Sequence, residues 1–474
     1  MKNLILCLLV LQYINASAQD SVKLSGRILN SISDSILISY NDNLIAYYPK
    51  EYYAIADKNG NFSITFPVPH GRYVQTELLH DRKLAEMLLQ PGDSLVLYVD
   101  AARFDSTIQF SGRGSAIENF IAKHSLALGR MNQYSVRVKT AINKEPAEFI
   151  KNIEQEKKAE LDFLSKNKTG LPVSFIKYWT AYYKYYNYFF IQQYPQVHEI
   201  IRVRKYTDTI PKGNFDVLKQ MPLSFNDSLL QVPSYLLYLT GVFDIQLKAS
   251  GYGYLSKDRD KSDAVQDSVS KLANNLLPNK SLEYFLAQNI YGRARNQELA
   301  RTESQFTSFK KRWPQSEYLP VLGKQVAIME RLAPGKPAPD FEIVTHDGKL
   351  MHLSDLKGKV VYLTFWAGWC KQCIGEMTNT HKTTDLMKDK PLEFVYVSIN
   401  TDTAGDQKII NKFKFDGLFN NVAGVWNARE ILDYGVQSLP AYFLIDEDGN
   451  IALQNPPSPV HYTELILAIE KLFK

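Results

Sequence analysis

Three patterns of hydrophobic spacing follow one another along the chain. From about residue 21 to 112 short apolar runs read as strands: Val22-Lys23-Leu24, Ile36-Leu37-Ile38, Phe62-Ser63-Ile64-Thr65-Phe66, Met87-Leu88-Leu89 and Leu95-Val96-Leu97-Tyr98-Val99. Asp57-Lys58-Asn59-Gly60-Asn61 and Gln90-Pro91-Gly92-Asp93-Ser94 supply turns between them. From about Ser115 to Leu332 the spacing becomes helical, with Phe149/Ile153, Leu161/Leu164 and Phe306/Phe309 at steps that stack on one helix face. Pro172, Pro195, Pro211, Pro233, Pro314 and Pro320 mark the expected ends of elements there. No internal repeat is legible. The segment Ala333-Pro334-Gly335-Lys336-Pro337-Ala338-Pro339-Asp340 reads as a linker or a leading strand.

Beyond it the order of elements is explicit. Phe341 to Val344 and Lys349 to Leu353 flank Asp347-Gly348 as a hairpin. Val360 to Trp366 is apolar throughout, as a strand buried on both faces should be. Cys370 to Lys388 predicts a helix, Phe394 to Ile399 a strand, Ile409 to Phe413 and Ala428 to Tyr434 short helices. Ala441 to Ile445 and Ile451 to Leu453 then form a strand-turn-strand, and Thr463 to Phe473 a closing helix. The expected fold is therefore multi-domain α+β. An antiparallel β-sandwich (19–112) precedes an all-helical region (113–333) and an α/β domain with a mixed central sheet (334–474).

Residues 178–190 hold nine aromatics. A helix buried on several faces explains them best, because aromatic side chains serve cores first. A sticky groove for an unfolded client is the competing reading.

Composition narrows the function. At 474 residues and 45% hydrophobic content the chain can bury more than one core, and a net charge of +5, spread thinly, leaves no nucleic-acid footprint. Residues 1–18 read as a secretion signal: Lys2, an apolar run from Leu4 to Leu11, and Ala16-Ser17-Ala18 before Gln19. Lipid attachment at Cys7 is disfavoured, since Leu6 is bulky and Cys7 lies too early. No later segment has 18 consecutive apolar residues, so a soluble, non-spanning mature protein in an extracytoplasmic, periplasmic and oxidising compartment is expected. Of three cysteines, only Cys370 and Cys373 then remain. One Cys-x-x-Cys pair is too few ligands for a structural zinc and too short a loop for a useful staple. No metal site is expected, and redox chemistry is the economical explanation.

Cys370-Lys371-Gln372-Cys373 stands where the buried strand ends and a helix begins. Free N–H groups and the helix dipole at such a position favour a thiolate. Cys370 is thus the expected attacking thiolate, and Cys373, one turn further in, the resolving thiol; an unreactive pair or an incidental bridge is the bland alternative.

Trp366-Ala367-Gly368-Trp369-Cys370-Lys371-Gln372-Cys373 resembles the thioredoxin active site. With Ala338-Pro339-Asp340-Phe341, Leu353-Ser354-Asp355-Leu356-Lys357-Gly358-Lys359-Val360-Val361 and Leu439-Pro440-Ala441-Tyr442-Phe443-Leu444-Ile445-Asp446 it is similar to the extracytoplasmic TlpA/ResA branch, over about residues 334–474. The resemblance implies a thioredoxin-like domain and a thiol-disulfide oxidoreductase with no cofactor beyond a redox-active Cys370–Cys373 disulfide. It implies a cis peptide before Pro440, a substrate segment held by Trp369, Leu439 and Pro440, and a proton-carrying Glu376. Protein disulfides would be the substrates, apocytochrome cysteines among them, with electrons from a membrane thiol donor of the DsbD/CcdA type. Four departures stand out. Gln372 replaces a common Pro, Lys371 adds positive charge beside the thiolate, and Thr364 occupies the position of the buried Asp of cytoplasmic thioredoxins; Thr378 also replaces a helix-kinking Pro. A rival reading makes the protein a non-enzymatic binding, assembly or redox-sensing module whose first 300 or so residues recognise a partner.

Overall fold

The computed structural model describes residues 21–45, 49–81, 83–129, 142–203, 210–221, 223–249, 259–296, 299–344, 348–400, 402–422, 426 and 428–473. The expected secretion signal, Cys7 and the Asp347 turn residue lie outside them. Two compact units divide the chain, Met1–Leu286 and Ala287–Lys474.

The first unit opens with eight strands: β1 (Ser21–Leu29), β2 (Ser35–Asn41), β3 (Pro49–Ile55), β4 (Asn61–Pro67), β5 (Val74–His80), β6 (Lys83–Leu89), β7 (Ser94–Asp100) and β8 (Gln109–Arg113). They form two four-stranded sheets, β4-β1-β7-β8 and β3-β2-β5-β6, whose inward residues share one core from Val22 and Ile38 to Met87 and Leu97. This is the expected sandwich, antiparallel except for one pair. β1 and β7 run parallel, with Lys23 opposite Ser94 and Leu29 opposite Asp100. Alternation fixes which side chains face inward, but it does not choose a partner 70 residues away. Gly26 is required at this pairing, because a Cβ there would lie 2.1 Å from the Leu97 carbonyl oxygen.

Helices follow in the same unit: α1 (Ser115–Leu128), α2 (Pro146–Asn167), α3 (Val173–Val203), α4 (Pro233–Ala249) and α5 (Arg259–Leu276). The aromatic run lies on α3. Tyr178, Trp179, Tyr182, Tyr183, Tyr185 and Phe190 are buried and none of the nine is exposed, so the core reading holds. Pro195 does not end its element as expected. It sits buried inside α3, which continues to Val203; packing of Tyr194 on Phe149 and His198 around it outweighs the one helical N–H that proline lacks.

The division between the units falls within α6 (Asn279–Asn296). The second unit continues with α7 (Leu299–Arg312) and α8 (Leu319–Arg331). Then come β9 (Glu342–Val344), β10 (Leu350–His352), β11 (Val360–Trp366), α9 (Lys371–Met377), α10 (Thr380–Leu386), β12 (Leu392–Ser398), α11 (Thr403–Phe413), β13 (Leu418–Asn421), α12 (Arg429–Asp433), β14 (Ala441–Ile445), β15 (Ile451–Gln454) and α13 (Tyr462–Glu470). The sheet is mixed, in the order β10-β9-β13-β12-β11-β14-β15. β11 is central and wholly buried, parallel to β12 and antiparallel to β14. Ile328 and Leu332, at the end of α8, belong to the same core. Among the described residues no helix is long and apolar enough to cross a membrane.

One expected helix is two. The run from Cys370 breaks at Thr378-Asn379 although no proline is present, because two side chains cap the first helix: the Thr378 hydroxyl and the Asn379 amide both donate to the Gly375 carbonyl, at 2.8 and 3.0 Å.

Candidate active site

Register brings the separate motifs to one end of the sheet. Ala441 pairs with Phe365, so Pro440 lies beside the end of β11 from which Ala367 leads to Cys370. The Leu439–Pro440 peptide is cis. Leu439 is half-buried against the core, whereas Trp369, directly before the first cysteine, is 58% exposed. The loop carrying Trp369 is tied down from below. Trp366 accepts from the Ile399 N–H, and Gly368 sits where a Cβ would meet Asp406 Oδ1 at 2.3 Å. Asp406 is buried and accepts from the Ser398 hydroxyl and from Asn400 Nδ2. The sequence reading had no signal for this cluster beyond the glycine itself.

Cys370 is the N-cap of α9 and is disulfide-bonded to Cys373. Its Sγ accepts the Cys373 N–H at 3.1 Å, one of the free helix-start donors that the sequence places there. Cys370 keeps 8% exposure and Cys373 none, which matches their order of accessibility. Thr364 is buried in the middle of β11 with its Oγ1 unpartnered.

Glu376 lies on α9, one turn beyond Cys373, and both its oxygens are occupied. Gln372 Nε2 donates to Oε1 at 2.9 Å and the Tyr442 hydroxyl donates to Oε2 at 2.7 Å. Burial, and then this hydrogen bond, pushes the Tyr442 hydroxyl far above its usual range, so it stays protonated and serves as a donor. Neither contact was foreseen. Alternation offered the one available signal: Tyr442, two residues after Pro440, takes the face of β14 opposite to Ala441 and Phe443.

Gln325, Ile328, Met329 and Leu332 of α8 and its end, with Gly292 and Ala294, line a cleft of about 400 Å³ that Gln437 and Pro440 close from the other side. Tyr291 donates to Gln437 Oε1 at 2.6 Å, and Gln437 Nε2 donates to Gln325 Oε1 at 2.8 Å, so the loop leading to Pro440 is pinned by two helices.

The comparisons with known proteins fall on this unit. Residues 333–464 match the Redoxin family. ResA, a thiol-disulfide oxidoreductase of Bacillus thuringiensis strain Al Hakam, is 36% identical over 128 residues, 27% of this chain and 72% of the relative. The chain belongs to the ResA-type thiol-disulfide oxidoreductases. ResA of Bacillus subtilis strain 168 is 35% identical over 124 residues, 26% of this chain and 66% of its own. The crystal structure of the thioredoxin domain of a Bacteroides vulgatus thiol-disulfide oxidoreductase, 25% identical, covers 30% of this chain and 99% of that domain with a TM-score of 0.28. The ResA-type protein described here is accordingly a thioredoxin-like thiol-disulfide oxidoreductase, with a β-sandwich and a helical layer ahead of its redox domain.

Proposed function

We propose that this ResA-type protein works outside the cytoplasm as a reductase of protein disulfides through Cys370 and Cys373. The Cys370 thiolate attacks one sulfur of a substrate disulfide, forming a mixed disulfide and releasing the other substrate sulfur as a thiolate. Cys373 then loses its proton to Glu376 and attacks Cys370 Sγ; the mixed disulfide breaks, the second substrate sulfur leaves, and the Cys370–Cys373 disulfide remains. The substrate is thereby reduced by two electrons and the protein oxidised by two. Trp369, Leu439 and Pro440 hold the substrate segment, and Lys371 favours the thiolate of Cys370. A membrane thiol donor of the DsbD/CcdA type restores the dithiol. Apocytochrome cysteines are the clients this reading favours.

The observation that carries the proposal is the position of Cys370 at the helix start, partly open and accepting a backbone N–H, with Cys373 sealed behind it. Its test is the reduction potential of the pair in thiol buffers, followed by tryptophan fluorescence. A value of about −270 to −230 mV supports a reductase, a value near about −120 mV means a disulfide donor, and no reversible couple defeats the proposal. A Cys373→Ser variant should accumulate mixed disulfides with its clients, and Cys370→Ser should not.

A further inference from the structure

We propose that Tyr442 and Gln372 are positioning residues that hold the Glu376 carboxylate ready to take the Cys373 proton. This rests on the reading of Glu376 as the proton carrier.

The carboxylate stands between two elements. Gln372, inside the Cys-x-x-Cys motif, reaches it along α9 at the i, i+4 spacing that makes neighbours on a helix face; Tyr442 reaches it from β14, 66 residues away in sequence. Each donor takes a different oxygen, so the side chain is fixed in torsion as well as in place. Tyr442 is buried and packs on Tyr362, whose hydroxyl is spent on the Pro457 carbonyl. That leaves the Tyr442 hydroxyl anchored and directed at Glu376. Glu376 and Cys373 lie three residues apart on one helix face, so a carboxylate fixed there faces the buried sulfur's side of the helix.

In the resolving step the proton passes from Cys373 Sγ to Glu376 as the Cys373 sulfur attacks Cys370. The Cys370–substrate S–S bond breaks, and the departing substrate thiolate takes a proton from water. Both positioning donors stabilise the charged carboxylate, and each lost donor makes it protonate more easily. The titratable groups set against it are Tyr442 on β14 and Tyr362 on β11; Lys371 starts the same helix, and the turn Pro459–His461, which carries His461, packs against α9. The tyrosine hydroxyls stay neutral because burial pushes both well above their usual range. The resemblance leads one to expect Pro at 372, and Pro could not donate. The motif's interior residue therefore adds to proton transfer here, and its loss of stiffness is offset by a hydrogen bond.

The test is the pH profile of the resolving step, read in the full chain as release of the second thiol from a fluorophore-quencher peptide disulfide. Glu376→Gln should slow the step about a hundredfold at neutral pH and remove the acid limb. Tyr442→Phe should move the midpoint of that limb up by about one pH unit, a tenfold loss at pH values on the limb. Gln372→Ala, at an exposed helix position that does not threaten folding, should move it in the same direction by less. Neither change should add anything in a Glu376→Gln background. If Glu376→Gln alters the profile while Tyr442→Phe and Gln372→Ala superimpose on the parent, the positioning role is overturned and the proton carrier stands. If Glu376→Gln leaves the profile unchanged, the proton carrier falls and the positioning role falls with it.

Discussion

Glu118 provides the sharpest test of the energetics of the first unit. This carboxyl on α1 is buried against β6; Leu88 N–H donates to Oε1 at 3.1 Å, while Oε2 has no partner. Burial first, and then the nearby Asp93, push it from an ordinary 4.5 up to about 8. Between these values the unfolded chain releases a proton that the folded unit keeps. Stability is therefore full below about pH 4.5, falls by about 1.4 kcal/mol per pH unit as pH rises, and levels off above about 8. From pH 5 to pH 8 the loss is about 4 kcal/mol, a large share of a typical domain's stability. Asp93, pushed up to about 6 by burial, has the same sign in parent and variant and cancels in a difference. Glu118→Gln removes the ionisation and keeps the shape. Urea titrations read by hydrogen exchange in peptides of the first unit, at pH 5, 6, 7 and 8, should find the two proteins within about 1 kcal/mol at pH 5 and the variant increasingly more stable above it. A difference that does not change with pH would refute the burial argument.

Two further outcomes concern the redox unit. Thr364→Val should stabilise it by about 1 kcal/mol, because the hydroxyl is buried without a partner and valine has nearly its shape; a loss of stability in urea unfolding would show that the hydroxyl is satisfied after all. Gln437→Ala frees the loop before Pro440 from Tyr291 and Gln325, and should raise KM for a peptide disulfide about fivefold while the reduction potential stays put; an unchanged KM would mean that the helices only support the fold.

Much of the redox unit was legible because its chemistry and its strands are local in sequence. The unbroken apolar run of β11, the Cys-x-x-Cys pair at a helix start and the turn between β14 and β15 each lie within a few residues. What escaped depends on contacts between distant positions. β13 is four residues long and ends in two asparagines, so it becomes a strand only by pairing with β12 and β9. β3, β5 and β8 fall outside the apolar runs that read as strands, and the parallel partnership of β1 with β7 has no local signature. Proline was an unreliable marker in both directions. α3 runs through Pro195 because its surroundings are packed, and the helix after Cys370 breaks without proline because Thr378 and Asn379 cap it. Glu376 follows from the family resemblance, but the two donors that hold it required the fold.

These contacts explain why seven residues suffice for the reactive helix. An isolated helix of two turns is unstable in water, so α9 must be fixed from outside. At its start the loop from Trp366 to Trp369 rests on Asp406, closely enough that only glycine fits at 368. At its end Thr378 and Asn379 satisfy the Gly375 carbonyl. On its flank the Gln372–Glu376–Tyr442 bridge joins it to β14, the strand that begins just after Pro440. Such restraint leaves the backbone around Cys370 little freedom while Trp369 stays exposed to an incoming chain. A sulfur held this way can be attacked and released along one geometry, and an exchange reaction in which three sulfurs must align benefits directly from that.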